Sequence, residues 1–206
     1  MAHTLLTLAQ RRRSLERGEV LYRADHAFDS LFVVAAGAFK SRVVLADGRD
    51  QVVGFYLPGD VLGLDGIATG RHQADVTALQ PSAAWVVPSE RLDEDGTREQ
   101  LARLLAQEIG RGHGTILLLG ILRAPERTAA FLLDLARRQG CPGMPAADVR
   151  LPMSRHDIGR HLGLTLETVS RMFSRLQDAG LIRVGTRRIT ILDFDGLAAE
   201  RPCPMA

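Results

Sequence analysis

The sequence has no long hydrophobic run and very little cysteine. Its richest apolar stretch, Ile116–Leu122, is far shorter than the roughly twenty residues that a membrane-spanning helix needs. Cys141 and Cys203 are the two cysteines among 206 residues, too few for a disulfide scaffold or a structural zinc site. Residues 1–4 have no charged segment leading into an apolar one, so no secretory signal is predicted. These features argue against membrane and secreted classes and predict a reducing, cytoplasmic compartment.

Lysine is almost absent, since Lys40 is the single lysine beside 25 arginines. The arginines are distributed unevenly: residues 150–192 hold eight of them against three acidic residues, in a chain whose formal net charge is only +2. A codon-driven preference for arginine would explain the residue type but not the clustering. The clustering predicts a polyanionic partner, and nucleic acid in the first place.

The segment from Leu15 to Pro88 has a β-type pattern. Leu31–Val34 is a compact apolar run, and residues 38–45 then alternate with a period of two, as in a half-buried strand. Asp47-Gly48 is a strong hairpin signal, because both residues tolerate a positive φ. Further strands are predicted at Gln51–Tyr56, Thr77–Leu79 and Ala84–Val87. Short strands separated by turns at this spacing predict a roll or barrel.

Apolar residues then recur at helical spacing across Glu99–Leu122. Such a helix extends beyond its own roll, so we assign part of its apolar stripe to a dimer interface. The assigned residues are Leu101, Leu105, Ile109, Gly112, Ile116 and Leu119. Gly110 and Gly114 are also present, and each glycine costs about 1 kcal/mol relative to alanine in a helix interior. Glycine would let two helices approach closely; a kink or break near Gly112 is the alternative.

Two short helices are predicted after Ser154, which caps the first of them. Gly163 makes the turn, and Thr165 caps a second helix whose inner face is predicted at Leu166, Val169, Phe173 and Leu176. Its outer face carries Glu167, Ser170, Arg171, Ser174 and Arg175. Arginine can bond guanine O6 and N7, glutamate can accept from cytosine N4, and serine can bond either base, so this face fits a recognition helix in a major groove.

A wing is predicted after the second helix. Arg187-Arg188 lies between two β-like pieces, Ile182–Val184 and Ile189–Leu192, and is predicted to be the wing tip that contacts phosphate. The alternative is an amphipathic helix pair with a merely solvated charged face. The Gly163 turn, the two caps and the cluster of arginines favour DNA binding.

The segment Ile158–Met172 resembles the DNA-binding signature of the CRP/FNR family of bacterial transcription regulators. The amino-terminal half resembles that family's β-roll at Leu15-x-x-Gly18-x-x-Leu21-Tyr22, Leu31–Val34, Gly37-x-x-Lys40 and Pro58–Gly63. The resemblance implies an α+β fold with three parts. These are a β-roll sensor domain of the cyclic-nucleotide-binding jelly-roll type at 1–92, a dimerisation helix at 93–122 and a winged helix-turn-helix at 123–206.

The recognition helix is similar to that of the FNR branch. Members that respond to cyclic AMP have arginine and glycine where this sequence has Leu166 and Ser170. Glu167-x-x-Ser170-Arg171 instead implies a TTGAT–N4–ATCAA-like palindrome, with Glu167 and Arg171 reading the G·C pair and Ser170 contacting the outer thymine. We assign DNA phosphate contacts to Ser154, Arg155, Thr165, Thr168, Arg175, Arg187 and Arg188.

The resemblance does not extend to a cyclic AMP site. In that branch a roll glutamate binds the ribose and an Arg-Ser pair binds the phosphate; in the corresponding stretch here, Gly63 to Ala74, both the acid and the arginine are replaced. His72-Gln73 lacks the charge-assisted fork of an arginine. Arg71 is one position away and would weaken this inference if the alignment shifted by one residue.

An iron–sulfur cluster is not expected either. Oxygen-sensing FNR proteins hold one on an amino-terminal cysteine cluster and a roll cysteine, but here no cysteine precedes Cys141 and Trp85 stands at the roll position. Two cysteines cannot supply four ligands. Relatives without a cluster respond to nitric oxide through haem, to redox state at a thiol, or to their own expression level. Cys141-Pro142 and Cys203-Pro204 either present a thiolate to haem iron, undergo oxidation or have no role.

The charged hairpin tip Asp47, Gly48 and Arg49 occupies a region that can contact RNA polymerase in the family; an ordinary solvated turn is the alternative. A cupin-type metalloenzyme would share the roll but needs a His-x-His pair with a glutamate on adjacent strands. The sequence has no such pair before the DNA-binding region, so neither a metal site nor enzyme activity is predicted.

These patterns together predict a homodimeric, cytoplasmic transcription regulator, an activator of the FNR type that controls anaerobic, nitrogen-oxide or redox-responsive genes. Its partners would be double-stranded DNA, a second copy and RNA polymerase, with no membrane. The alternative hypothesis is a haem- or small-molecule-binding sensor of the same fold whose roll needs an effector before the protein binds DNA.

Overall fold

The computed structural model describes residues 3–93, 97–141 and 143–200; Pro142, Cys203 and Pro204 lie outside them. The chain divides into two compact units, Met1–Arg111 and Gly112–Ala206. This division falls between the two domain boundaries predicted from the sequence. No helix in the described ranges is both long enough and apolar enough to cross a membrane.

The first unit begins with a short helix, α1 (His3–Thr7), and contains two antiparallel four-stranded sheets. Its strands are β1 (Arg11–Leu15), β2 (Val20–Tyr22), β3 (Ser30–Ala36), β4 (Phe39–Val44), β5 (Asp50–Tyr56), β6 (Val61–Leu62), β7 (Asp75–Ala78) and β8 (Ser82–Pro88). One sheet has the order β1-β8-β3-β6 and the other β2-β7-β4-β5. Single 3-10 turns occupy Leu64–Gly66 and Ser89–Asp93. The predicted β-roll is confirmed.

The position of strand β3 between two core clusters explains why its sequence is a continuous apolar run. Phe32 and Val34 belong to a core cluster formed with residues from both sheets, including Phe39 and Val76. The alternate residues Leu31 and Val33 belong to a second cluster, which also contains Leu5 of α1. Because successive side chains of a strand point to opposite faces, a strand that is covered on both faces loses the alternation of polar and apolar residues.

The longest helix is α2 (Thr97–Gly120), which runs without interruption through Gly110, Gly112 and Gly114. The break near Gly112 that the sequence left open is therefore absent. Polar contacts that tie the first unit's part of this helix to the roll include an ion pair, with Arg111 Nη2 2.9 Å from Asp60 Oδ1, and a hydrogen bond that Tyr56 Oη donates to Glu108 Oε1 at 3.3 Å.

The second unit combines helices with a small sheet. It contains α3 (Ala124–Gln139), β9 (Asp148–Arg150), α4 (Arg155–Leu162), α5 (Leu166–Asp178), β10 (Ile182–Val184), β11 (Arg188–Ile191) and α6 (Phe194–Ala199). The sheet is antiparallel with the order β10-β11-β9. Sequence analysis predicted the two strands of the wing but not β9. The predicted fold class, an α+β roll followed by a long helix and a winged helix-turn-helix, is confirmed.

We expect Gly37→Ala to destabilise the roll more than Gly48→Ala. Both glycines have a positive φ, 80° and 84°, which costs an L-residue about 1–2 kcal/mol. A Cβ at residue 48 would meet nothing, whereas one at residue 37 would overlap Ser82, whose hydroxyl accepts from Ala38 N at 3.0 Å. Urea denaturation should show a loss of about 1 kcal/mol for Gly48→Ala and about 3 kcal/mol for Gly37→Ala. Equal losses would contradict this account.

Candidate nucleic-acid interface

Helix α4 begins with a reciprocal cap. Ser154 Oγ accepts from Asp157 N at 3.1 Å, and Asp157 Oδ2 accepts from Ser154 N at 3.1 Å. The helix ends at Gly163, which has a left-handed φ of 64°. Leu164 N then donates to Gly159 O at 2.9 Å, and a Cβ at Gly159 would overlap the Leu164 carbonyl. The two glycines thereby allow the tight turn between α4 and α5.

Helix α5 is capped by Thr165, whose Oγ1 accepts from Thr168 N at 3.1 Å. Val169, Phe173 and Leu176 are buried on its inner face, as predicted. Leu166 was also assigned to that face, and this was wrong: its side chain is 43% exposed. It lies in the first turn of the helix, one turn before Val169, the first residue of α5 that the core covers.

The outer face of α5 brings together the three residues predicted to read bases. Glu167 and Arg171 are exposed and Ser170 is half-buried; residues three and four apart share one side of a helix. Hydrogen bonds from its own backbone N–H and from the Thr165 hydroxyl lower the pKa of Glu167. The glutamate is therefore an ionised, acceptor-only group at neutral pH, as bonding to the cytosine amino group requires.

Most of the residues assigned to phosphate already contact protein groups. The hydroxyls of Ser154 and Thr165 serve as helix caps. Arg155 Nη1 donates to Ser170 Oγ at 3.1 Å, and its guanidinium lies 5.5 Å from the ring centroid of Phe173. Thr168 Oγ1 accepts from Arg171 at 3.2 Å.

The other three arginines assigned to phosphate lie in the last turn of α5 or in the wing, at the start of β11. Arg175 lies 3.5 Å from Glu200, and Arg188 lies 3.6 Å from Asp148. Arg187 is exposed in the turn that precedes β11. Of the three arginines, Arg187 thus has the position expected of the wing tip.

Sequence analysis missed two residues that organise this unit. Gln177 Oε1 accepts from Val184 N at 2.8 Å, which joins the recognition helix to the wing. Arg127 in α3 donates hydrogen bonds to Leu119 O, Leu122 O and Leu162 O. The position of Arg127 in the sequence was informative. A positive charge in the first turn of a helix interacts unfavourably with that helix's own dipole, so its presence there indicates a partner elsewhere in the structure.

The residues assigned to the dimer interface have different environments. Leu101 and Leu105 pack against the roll's second core cluster, so the predicted stripe is not one continuous free surface. Ile109 and Ile116 are 60% and 68% exposed, and Gly112 has open space beside its Cα. Leu119 is half-buried. The exposed apolar surface also includes Leu117 and Ile121, which were not assigned.

The hairpin tip between β4 and β5 is an exposed, self-contained turn. Asp47 Oδ1 accepts from Arg49 N at 3.0 Å, and Asp47 Oδ2 accepts from Arg49 Nε at 2.7 Å. Gly48 has the positive φ that the Asp-Gly signal predicted. The two charges of the tip therefore neutralise each other locally.

The stretch Gly63 to Ala74, which the sequence resemblance aligned with a cyclic AMP site, is packed with its own side chains. His72 is buried and stacks on Tyr22 with ring centroids 3.7 Å apart, and the edge of Phe28 meets it at 5.7 Å. His72 Nδ1 lies 3.6 Å from Asp65 Oδ1, while Asp65 Oδ2 accepts from Gln73 N at 2.7 Å. The carboxylate is thus directed toward protein groups of this segment.

Cys141 and Trp85, the residues weighed for haem or an iron–sulfur cluster, belong to different units. Cys141 is exposed in the loop after α3. Trp85 lies on β8, with the Arg12 guanidinium 5.9 Å from its ring centroid. Within the described ranges, no group of three or more His, Cys, Asp or Glu side chains is arranged to hold a metal ion.

Comparisons with known proteins match both units. A model described as a cyclic nucleotide-binding domain matches residues 12–95, and one described as a Crp-like helix-turn-helix domain matches residues 126–200. Transcriptional activator protein FnrA of Stutzerimonas stutzeri is 40% identical over 197 residues, 93% of this chain and 81% of that protein. The fumarate and nitrate reduction regulatory protein of Salmonella typhimurium is 38% identical over 197 residues, 93% of this chain and 79% of that protein. The structure of FixK2 from Bradyrhizobium japonicum matches with a TM-score of 0.86 at 33% identity, over 94% of this chain and 98% of that one.

A β-roll followed by a long helix and a winged helix-turn-helix defines a DNA-binding protein with an attached sensor-type domain. The chain belongs to the CRP/FNR family of transcription regulators. It is therefore a DNA-binding regulator and not an enzyme, as the sequence predicted.

We expect Asp65 to make the stability of the roll depend on pH. Burial raises the pKa of Asp65, but the neighbouring His72 and the Gln73 N–H outweigh it and hold the pKa below its ordinary value of 3.8. The folded carboxyl then binds its proton less tightly than the unfolded one, so its contribution to stability is present above that value and is lost as the pH falls.

The measurement is urea denaturation of wild type, Asp65→Asn and the hairpin-tip control Asp47→Asn from about pH 7 to about pH 3. Asp65→Asn should be less stable than wild type at pH 7 and should lose less stability on acidification. A wild-type pH dependence retained in full by Asp65→Asn would show that other carboxyls are responsible.

Proposed function

We propose that this protein binds, as a homodimer, a twofold DNA site of the TTGAT–N4–ATCAA type. The observation that carries the proposal is the outer face of α5, where Glu167, Ser170 and Arg171 share one side of the helix and the side chains of Glu167 and Arg171 are exposed. Arg171 bonds guanine O6 and N7 as a fork, and Glu167 accepts from the cytosine amino group of the same base pair. Ser170 contacts the outer thymine.

A second copy is part of the proposal, because one chain presents one recognition helix to a palindrome with two half-sites. Ile109, Ile116 and Ile121 expose apolar side chains along about 18 Å of α2 and its end. Gly110 and Gly112 have open space beside them, which supports close approach of a second helix. Half-sites one helical turn apart then match the twofold axis of the dimer.

We propose that the protein activates transcription and that its target genes are anaerobic, nitrogen-oxide or redox-responsive genes. The relatives support this by name, since one is a transcriptional activator and another a fumarate and nitrate reduction regulatory protein. The hairpin tip Asp47–Arg49 is the surface that we assign to RNA polymerase. Its internal ion pair gives it a defined shape, which suits a protein contact.

We further propose that neither cyclic AMP nor an iron–sulfur cluster is the signal. The segment Gly63–Ala74 does not fit a cyclic nucleotide, because His72 is buried against Tyr22 where the family's arginine would bind phosphate. Asp65 is engaged with His72 and Gln73 N instead of facing a ribose. Trp85 has no group that can ligate iron.

The direct test is fluorescence anisotropy with three duplexes at one fixed salt concentration: TTGAT–N4–ATCAA, a TGTGA-type palindrome and a scrambled control. Without any added ligand, and equally in air and without oxygen, we expect at least about 1,000-fold tighter binding to the first duplex than to the scrambled one. Equal affinity for all three would overturn the assignment. Selective binding that appears only after a cyclic nucleotide or haem is added would favour the sensor hypothesis.

Two arginines should separate base reading from phosphate contact. Arg171→Ala should cost about 1–3 kcal/mol on the TTGAT duplex and relax the preference for the guanine. Arg187→Ala, the matched loss of one positive charge at the wing, should weaken binding to every duplex by a similar factor and reduce the salt slope by about one. Unchanged specificity in Arg171→Ala, or a loss confined to one base position in Arg187→Ala, would contradict these roles.

A further inference from the structure

Arg127 holds together the ends of two other helices. It lies in the first turn of α3 and is partly buried. Its Nε donates to Leu122 O at 2.7 Å and its Nη2 to Leu119 O at 2.8 Å. Its Nη1 donates to Leu162 O at 2.9 Å. Leu119 lies in the last turn of α2, Leu122 lies in the short link between α2 and α3, and Leu162 is the last residue of α4.

The carboxyl end of a helix is where such a cation is most effective. The last four carbonyls of a helix have no partner within it, and the helix dipole places partial negative charge there. The planar guanidinium offers five N–H donors in a fixed fork, so it can serve a last-turn carbonyl from each of two helices and a third carbonyl from the linking segment at once. A lysine ammonium is a point charge without that fork.

The turn of the helix-turn-helix packs against the same arginine. A Cβ added at Gly163 would lie 3.2 Å from Arg127 Nη1 and 3.3 Å from Leu119 Cδ2. A side chain at residue 163 would thus crowd both the guanidinium and the Leu119 side chain. A movement of the turn relative to α2 would have to break the hydrogen bond from Arg127 to Leu162 O or those to Leu119 O and Leu122 O.

We propose that Arg127 is a positioning residue that fixes the direction of the recognition helix relative to the end of α2, and that it thereby sets the half-site spacing that the dimer accepts. The inference rests on the proposed function, because α2 is the helix on which two copies are proposed to meet. If the two copies of the dimer meet along α2, each recognition helix is positioned relative to its own α2. The rigidity of each α2–Arg127–α4 junction then determines how well the two recognition helices match one fixed spacing between DNA half-sites.

The test compares wild type with Arg127→Ala, Arg127→Lys and a control, Arg137→Ala. Arg137 lies on the same helix, is exposed and pairs only locally, with Asp134 at 2.8 Å, so the control removes the same charge without touching the junction. The duplexes carry the two TTGAT half-sites with spacers of three, four or five base pairs, or a single half-site. One base pair shifts and rotates one half-site relative to the other, which a rigid dimer cannot follow.

Wild type and Arg137→Ala should bind the four-base-pair spacing at least about 30-fold more tightly than the other two spacings. In Arg127→Ala this ratio should fall below about threefold, through loss of affinity for the four-base-pair duplex, while half-site affinity stays within about twofold. Arg127→Lys should be intermediate. A uniform loss of affinity for all four duplexes, or an unchanged ratio of affinities, would overturn the proposal. If thermal melting shows that Arg127→Ala is unfolded, the same ratio measured for Arg127→Lys decides the outcome.

A DNA-free measurement separates this proposal from the proposed function. With Cys141 and Cys203 changed to serine, spin labels at His113→Cys in α2 and Ser174→Cys in α5 report the distance between the two helices within one chain. Labelled protein is mixed with an excess of unlabelled protein so that one labelled chain is observed at a time. The distance distribution should be narrow in wild type and Arg137→Ala and should broaden in Arg127→Ala. An unchanged distribution would refute the junction even if the TTGAT assignment holds, and a broadened one would support it even if that assignment fails.

Discussion

The exposure of the recognition face depends on one close backbone contact inside the helix-turn-helix. Leu164 N donates to Gly159 O across 2.9 Å, and any side chain at residue 159 would overlap the Leu164 carbonyl. This contact sets the direction in which α5 leaves α4. Once that direction is set, Val169, Phe173 and Leu176 are buried behind the helix. The charged residues on its other side are then left facing outward, because a helix that buries one face must expose the opposite one.

The exposed surface is held in place by hydrogen bonds between its own side chains. Arg155 bonds Ser170, Arg171 bonds Thr168, and Gln177 ties α5 to the wing. Long side chains that are already restrained lose less entropy when they are ordered against DNA. In the DNA contacts proposed above, a base or phosphate would replace an existing partner of these arginines, so the proposed binding involves exchange of hydrogen bonds as well as release of counterions.

The roll and the DNA-binding unit bury polar groups in different ways. In the DNA-binding unit the orphan groups at helix ends are served by caps and by Arg127. In the roll, Tyr22, His72 and Asp65 form a contiguous set, in which His72 stacks on Tyr22 and faces the Asp65 carboxylate. Burial raises the pKa of Tyr22 well above its ordinary value, so its hydroxyl remains a neutral group.

Local sequence patterns were sufficient to predict the caps at Ser154 and Thr165, the Gly163 turn, the Asp47-Gly48 hairpin and, through the motif Ile158–Met172, the class of the protein, because each depends on residues only a few positions apart. Features that depend on distant partners became visible only in the folded chain. Strand β9 exists because β11 pairs with it, and Leu101 and Leu105, which the sequence assigned to a dimer interface, are partly buried against the roll's core. Arg127 is understood only when the ends of α2 and α4 meet around it. Hydrogen bonds and burial between residues far apart in the chain leave no periodic pattern in the sequence, so the fold had to reveal them.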